Sequence, residues 1–100
     1  MGRHQVLISP RARSDLKVIV RFIARDNRRA AAEFGALLIR KALSLASQPE
    51  RGRVVPELNE ADVRELIFKS YRIIYQVSEG SKVVSVLRFW HAARGVPEIV

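Results

Sequence analysis

The sequence predicts an α+β domain of order β-α-α-β-β-β, an antiparallel-rich sheet with an N-terminal helical hairpin packed on one face. Two observations carry this. Two apolar stripes at helical spacing follow one another within the first half of the chain, separated by only a few residues. From Val63 onward the apolar period changes to two, over three successive runs. Helices grouped in sequence, and not alternating with strands, favour a segregated α+β layering. One hundred residues fit a single domain, 1–100, with one modest core.

The first element is the short apolar run Gln5 to Ile8, which stops before Pro10 and suits a sheet edge. Ser9-Pro10 then reads as a helix start, with Ser as N-cap and Pro at the first helical position. Leu16, Ile19, Val20 and Ile23 recur at helical spacing, and Arg13, Lys17 and Arg21 form a basic stripe beside them. This helix is expected over about residues 10–25. Asp26-Asn27 breaks it and supplies N-cap chemistry for a second helix from Arg28 to about Ser47, rich in Ala and Leu. Phe34, Leu37, Leu38, Ala42 and Leu45 give that helix its apolar face, while Arg40 and Lys41 complement the dipole near its far end. Neither helix can bury its face alone, so the sheet must cover both. Val18, Phe22, Ile39 and Leu43 are left as apolar surface that a partner protein or a second copy could cover.

Residues 48–62 hold Pro49, Gly52 and Pro56 among charges and read as a connection, with Arg53-Val54-Val55 able to extend. Val63 to Phe68 is the second strand, and Lys69-Ser70 separates it from the third. In the third, Tyr71, Ile73, Tyr75 and Val77 share one face and Arg72, Ile74 and Gln76 the other. Glu79-Gly80 marks the next hairpin, with Gly80 expected to supply its positive φ. The fourth strand, Lys82 to about Trp90, is nearly all apolar, as expected of a strand covered on both faces. Trp90-His91-Ala92-Ala93-Arg94 forms its exit.

Composition excludes several classes. There is no Cys, which removes disulfide, thiol and Cys-zinc chemistry and fits a reducing cytoplasm. With two His, no metal site and no cofactor is implied, and no run of apolar residues approaches the roughly 18 needed to span a bilayer. The net charge is +8, and it is uneven: residues 1–47 carry ten Lys or Arg against three acids, residues 48–100 eight against seven. This excess either solvates two helices or faces an anionic partner, protein or nucleic acid.

The element order, the Ser9-Pro10-x-Ala12 opening, the Arg64-Glu65-Leu66 strand, Tyr71-Arg72-Ile73-Ile74-Tyr75 and the Trp90-His91-x-x-Arg94 exit together resemble the RelE/ParE superfamily of bacterial toxins. The resemblance implies the cytoplasmic toxin half of a type II toxin–antitoxin pair, held inactive by an acidic, partly disordered antitoxin. Arg13, Lys17, Arg21, Arg28, Arg29 and Arg40 of the basic hairpin are the antitoxin-binding candidates it implies. Two branches then differ. The RelE-like branch cuts mRNA on the ribosome, and its catalytic candidates here are Arg64, Arg72, His91 and Arg94. The ParE-like branch poisons DNA gyrase and does no chemistry of its own. The chain lacks the C-terminal Tyr of RelE-like members, and Glu65 and Leu66 stand where their strand Lys pair is expected. Arg64-Glu65-Leu66 and Leu87-Arg88-Phe89-Trp90-His91 look more ParE-like, so that branch is the expectation, with Trp90 and Arg94 as target-binding candidates. A basic nucleic-acid-binding module is the alternative outside the family.

Individual residues also have structural readings. Arg72 can pair with Glu65 across the sheet, His91 can pack or cap, Trp90 can close the core, and Tyr71 and Tyr75 suit core positions. His4 is expected to be an exposed terminal residue.

Overall fold

The computed structural model describes residues 3–99. It contains β1 (Gln5–Ile8), α1 (Pro10–Ala24), α2 (Arg28–Leu43), β2 (Arg53–Val54), β3 (Val63–Phe68), β4 (Tyr71–Ser78) and β5 (Val83–His91). Short 3₁₀ turns over Ser44–Ala46 and Ala92–Arg94 follow α2 and β5. The expected order holds, with the two-residue strand β2 added in the connection. Among the described residues no helix is long and apolar enough to cross a membrane.

Both helices start on side-chain caps. Ser9 Oγ accepts the Ala12 N–H at 3.0 Å with Pro10 at the first position, and Asn27 Oδ1 accepts the Ala30 N–H at 3.0 Å. The second helix ends at Leu43, four residues earlier than expected, where the chain tightens into the 3₁₀ turn. Gly35 lets α1 and α2 approach: a Cβ there would lie 2.9 Å from Val20 Cγ2.

The sheet runs β1-β5-β4-β3-β2, with β1 parallel to β5 and every other pair antiparallel. The helices cover one face through Ala12, Ile19, Leu38 and Ala42, with Leu45 from the following 3₁₀ turn, packed on Ile73, Tyr75, Val77, Val84, Val86 and Phe89. The opposite face carries a second, smaller core of Val55, Val63, Ile74 and Ile99, with Leu58 and Leu87 against it. The connection and the C-terminal segment therefore do there what the hairpin does on the main face.

A β-bulge sets the faces of β5. Ile74 lies opposite Arg88 but Tyr75 lies opposite Val86, so Leu87 is the extra residue. Val86 and Phe89 thus both join the main core despite their odd spacing, and Arg88 and Trp90 share the far face with Ile74 and Arg72.

Two local expectations are corrected. In the β4–β5 hairpin the positive φ falls on Lys82 (57°), not on Gly80. His4 is buried, not exposed: its N–H donates to the Ala46 carbonyl at 2.8 Å, tying the start of β1 to the end of the helical hairpin. Its Nε2 lies 3.3 Å from Glu79 Oε1 but lacks hydrogen-bond geometry.

Candidate functional site

The strand cations come first, because they are the sequence's candidates for chemistry. Arg72 is buried, and its guanidinium is occupied on every side. Nη1 and Nη2 donate to the two Glu57 carboxylate oxygens at 2.7 and 2.8 Å, and Nε donates to Glu65 Oε1. The other Glu65 oxygen accepts from Arg53 Nε at 2.7 Å. Two Arg and two Glu form a charge-balanced network on the far face, around a Glu65 side chain with no exposure. The hydrogen bonds to Glu57 hold Arg72 firmly protonated, and Arg72 in turn holds the Glu57 carboxyl below its usual range.

Arg64 lies on the other face. It pairs with Tyr75, whose ring is in the main core, and its Nη1 donates to the Gly52 carbonyl at 2.9 Å. The Gly52 N–H donates to Tyr75 Oη at 2.9 Å, so Arg64 and Tyr75 together fasten the connection to the sheet. Arg64 and Arg72 are not brought together.

His91 and Arg94 are. His91 lies opposite Tyr71, with the rings edge to face at 4.9 Å. His91 Nδ1 accepts the Ala93 N–H at 3.1 Å, which leaves Nε2 to carry the proton of the neutral ring. Trp90 is buried, its indole N–H donating to the Gly95 carbonyl at 3.0 Å, and Arg88 and Arg94 approach its ring centroid at 4.6 and 4.0 Å. Arg94 itself is exposed. With Val18, Ile19, Phe22, Tyr71 and His91 it lines a cleft of about 330 Å³ between the outer face of α1 and the sheet exit.

The six hairpin cations are exposed but do not form one patch. Arg13, Lys17 and Arg21 run along α1, Arg28 and Arg29 open α2, and Arg40 stands near its other end. Arg13 Nε donates to the Ile8 carbonyl at 3.1 Å, and Arg29 reaches Glu33 at 3.4 Å one turn on. Among the described residues no group of three or more His, Asp or Glu converges on a possible metal position.

One organising residue escaped the sequence reading. Asp15 is buried and accepts from Arg88 at 2.7 and 2.8 Å and from the Phe89 N–H at 3.1 Å. Because β1 ends at Ile8, opposite Val86, no strand runs along that edge of β5 beyond this point. The Asp15 carboxylate takes the strand's place. The signal was present: Ala12, Asp15 and Ile19 share the buried stripe of α1, and a buried acid requires a cation.

Comparison with known proteins adds the following. Residues 6–96 match the family described as the ParE toxin of type II toxin–antitoxin system, parDE. Toxin RelE2 of Caulobacter vibrioides is 40% identical over 91 residues, covering 90% of this chain and 97% of that protein. Among solved structures, the chromosomal ParDE system of P. aeruginosa matches with a TM-score of 0.72 at 16% identity, over 89% of this chain and 96% of that one. The RelBE2 toxin–antitoxin complex of Mycobacterium tuberculosis matches with a TM-score of 0.65 at 24% identity, over 91% and 93%. A free-state mutant of E. coli toxin RelE matches with a TM-score of 0.61 at 17% identity, over 93% and 87%.

Proposed function

The chain belongs to the ParE toxin family of type II toxin–antitoxin systems, within the RelE/ParE superfamily, and from that premise we propose that it arrests growth by poisoning DNA gyrase without chemistry of its own. The observation that carries this reading is the state of the strand cations. Cleaving a phosphodiester requires cations preorganised around one reacting phosphate. Here Arg72 is saturated by Glu57 and Glu65, and Arg64 is engaged on the opposite face of the sheet. A gyrase poison needs only a binding surface, which the His91–Arg94 exit, with Trp90 behind it, can offer.

The cognate antitoxin is proposed as an acidic, partly disordered protein that engages the hairpin through Arg13, Lys17, Arg21, Arg28, Arg29 and Arg40. Each exposed pair contributes roughly 0–1 kcal/mol, so these charges steer and orient while apolar contacts hold. Residues 1–100 act as one toxin domain in the cytoplasm, and no cofactor enters the reading.

The second reading is a RelE-like, ribosome-dependent mRNA endonuclease. It is favoured by the 40% identity to a protein named Toxin RelE2 and by His91, whose Nε2 is left for proton transfer beside Tyr71. Induced expression in bacteria with pulse labelling of new DNA and new protein separates the two. DNA synthesis failing first is the expected result. Protein synthesis collapsing within minutes while DNA synthesis continues overturns the gyrase reading. Loss of arrest in a folded His91→Ala variant, with cleaved mRNA in the parent, establishes the nuclease instead.

A further inference from the structure

Beyond the exit turn, residues 95–99 double back across the far face of the sheet as a strap. Its side chains alternate: Val96 and Glu98 are exposed, while Pro97 and Ile99 are buried. Ile99 sits in the smaller core against Val55, Val63 and Ile74. Among the described residues no backbone–backbone hydrogen bond ties the strap to the sheet. Side chains hold it instead. Trp90 Nε1 donates to the Gly95 carbonyl at 3.0 Å, and Arg88 Nη1 donates to the Glu98 carbonyl at 2.6 Å. Arg11 also reaches the Glu98 carboxylate, but both partners are exposed and that pair adds little.

Gly95 is the corner between the exit turn and the strap. Its φ of 83° and ψ of −151° fall in a region essentially confined to glycine. The space where its Cβ would stand is open, so the demand is on backbone conformation alone. A segment with a glycine-only corner and no ladder can leave the sheet without unfolding it. What keeps it down is the indole N–H at one end and the seats of Pro97 and Ile99 at the other.

The strap shares its supports with Arg94, the residue just before the corner. The Trp90 ring carries the Arg94 guanidinium at 4.0 Å and the Arg88 guanidinium at 4.6 Å. Two cations over one ring repel, and the pair is tolerable because Asp15 neutralises Arg88. Among the described residues no carboxylate pairs with Arg94. Its place is therefore set by the ring and by the backbone that the strap draws onto the far face. A free Arg side chain loses much rotamer freedom when it binds, and one already held over a ring loses less.

We propose that Gly95, Pro97 and Ile99 are positioning residues for Arg94. With the strap seated, the Arg94 guanidinium stays over Trp90 at the rim of the cleft that it lines with Phe22, Tyr71 and His91. With the strap released, the cation swings free and the cleft loses that part of its rim. A contact surface at one end of the sheet is thus governed by a small apolar seat on the far face. The dependence is the same whichever partner Arg94 meets. The inference deepens the toxin reading and rests on it for the growth-arrest measurement alone.

The experiment uses the full chain with two test variants. Gly95→Ala removes no contact but strains the corner, and Ile99→Ser empties the seat. Ile99→Val, which keeps the seat apolar, and Gly80→Ala, at a glycine in open space without positive φ, are the comparisons. Trp90 is the only Trp of the chain, so its emission reports the strap directly. In both test variants acrylamide should quench Trp90 more readily, while far-UV circular dichroism matches the parent. Limited trypsin should cut after Arg94 roughly tenfold faster or more, as expected when a glycine-only conformation is forced on another residue. Growth arrest should fall as far as it does in Arg94→Ala, and Gly95→Ala should add nothing to Arg94→Ala. Both comparison variants should behave as the parent does. Unchanged quenching and cutting in the test variants overturn the proposal. So does a released strap with full growth arrest, or full arrest in Arg94→Ala. Loss of the far-UV signal together with the Trp90 change in Gly95→Ala also overturns it, since the strap is then part of the core and no latch. If the parent itself arrests nothing, the toxin reading fails separately. The latch is then judged on Trp90 and trypsin: release in both test variants supports it, and protection equal to the parent overturns it.

Discussion

Replacing Arg72 by Ala tests whether the far-face network is structural. The Glu65 side chain has no exposure, and without Arg72 it keeps only Arg53, whose own side chain is 63% exposed and well solvated. Glu57 loses a bidentate partner at the same time, though its partial exposure lets water compensate. Removing one member of a buried ion pair costs about 3–5 kcal/mol, because the charge left behind is unpaired. For a domain of this size each kcal/mol lowers Tm by roughly 4–8 °C, so a fall of roughly 12–40 °C is expected. That is a large part of the 5–15 kcal/mol by which such domains are typically stable. Removing both charges, as in Glu65→Leu with Arg72→Met, should recover most of the loss, since no charge is then stranded. Urea unfolding followed by far-UV circular dichroism and by Trp90 fluorescence gives the values for Arg72→Met, Glu65→Leu and the pair, and the double value minus the sum of the two singles is the coupling energy. If Arg72→Ala melts with the parent while growth arrest disappears, the network is not what Arg72 is for. The residue then serves the target directly, and the argument against a nuclease loses its footing.

Three further outcomes are expected. Asp15→Ala strands the Arg88 guanidinium and the Phe89 N–H together, so it should cost about 3–5 kcal/mol in the same urea assay, and Asp15→Asn, which keeps one acceptor, should cost less. Gly52→Ala places a Cβ 2.5 Å from the Glu65 carbonyl oxygen and 2.6 Å from Tyr75 Oη, neither of which can give way, so a loss of about 1–3 kcal/mol is expected, with increased protease cutting in residues 48–62. The Glu57 carboxyl is held below its ordinary 4.5, chiefly by its hydrogen bond to Arg72. Its contribution is therefore fully present above pH 4.5 and lost as pH falls through the lower folded value; Tm measured against pH should drop on the acid side, and less steeply in Glu57→Gln.

What could be read in advance depended on whether a residue's neighbours lie close in sequence or in an uninterrupted period. The helix starts at Ser9 and Asn27 were legible because capping is local, and the faces of β4 were legible because Tyr71, Ile73, Tyr75 and Val77 alternate without a break. The faces of β5 were not. Its run from Val83 to Leu87 is apolar but for Ser85, and nothing in it marks Leu87 as the bulged residue that turns Arg88 and Trp90 to the far side. β2 was legible only as an extended stretch at Arg53-Val54-Val55, since two residues carry no period to show what they pair with; it forms because Gly52, lacking a Cβ, lets the connection lie against Glu65 and Tyr75. In the hairpin after β4, Gly80 was the natural candidate for positive φ, yet Lys82 adopts it.

The candidate site follows the same rule. Its pieces were visible: Phe22 and Val18 as apolar residues with no place in the α1 stripe, and Arg94 as a cation beyond the last strand. Their meeting was not visible, because it depends on three separate structural events. β1 must stop at Ile8, so that α1 and Asp15, and not a further strand, flank the second half of β5. The bulge at Leu87 must turn Trp90 to the far face, where it can support Arg94, while His91 faces Tyr71. The Ala92–Arg94 turn, capped by His91 Nδ1, must then bring Arg94 back toward α1. Asp15 links the first two events, since it binds the Phe89 N–H that the short β1 leaves open and the buried Arg88 guanidinium that follows the bulge.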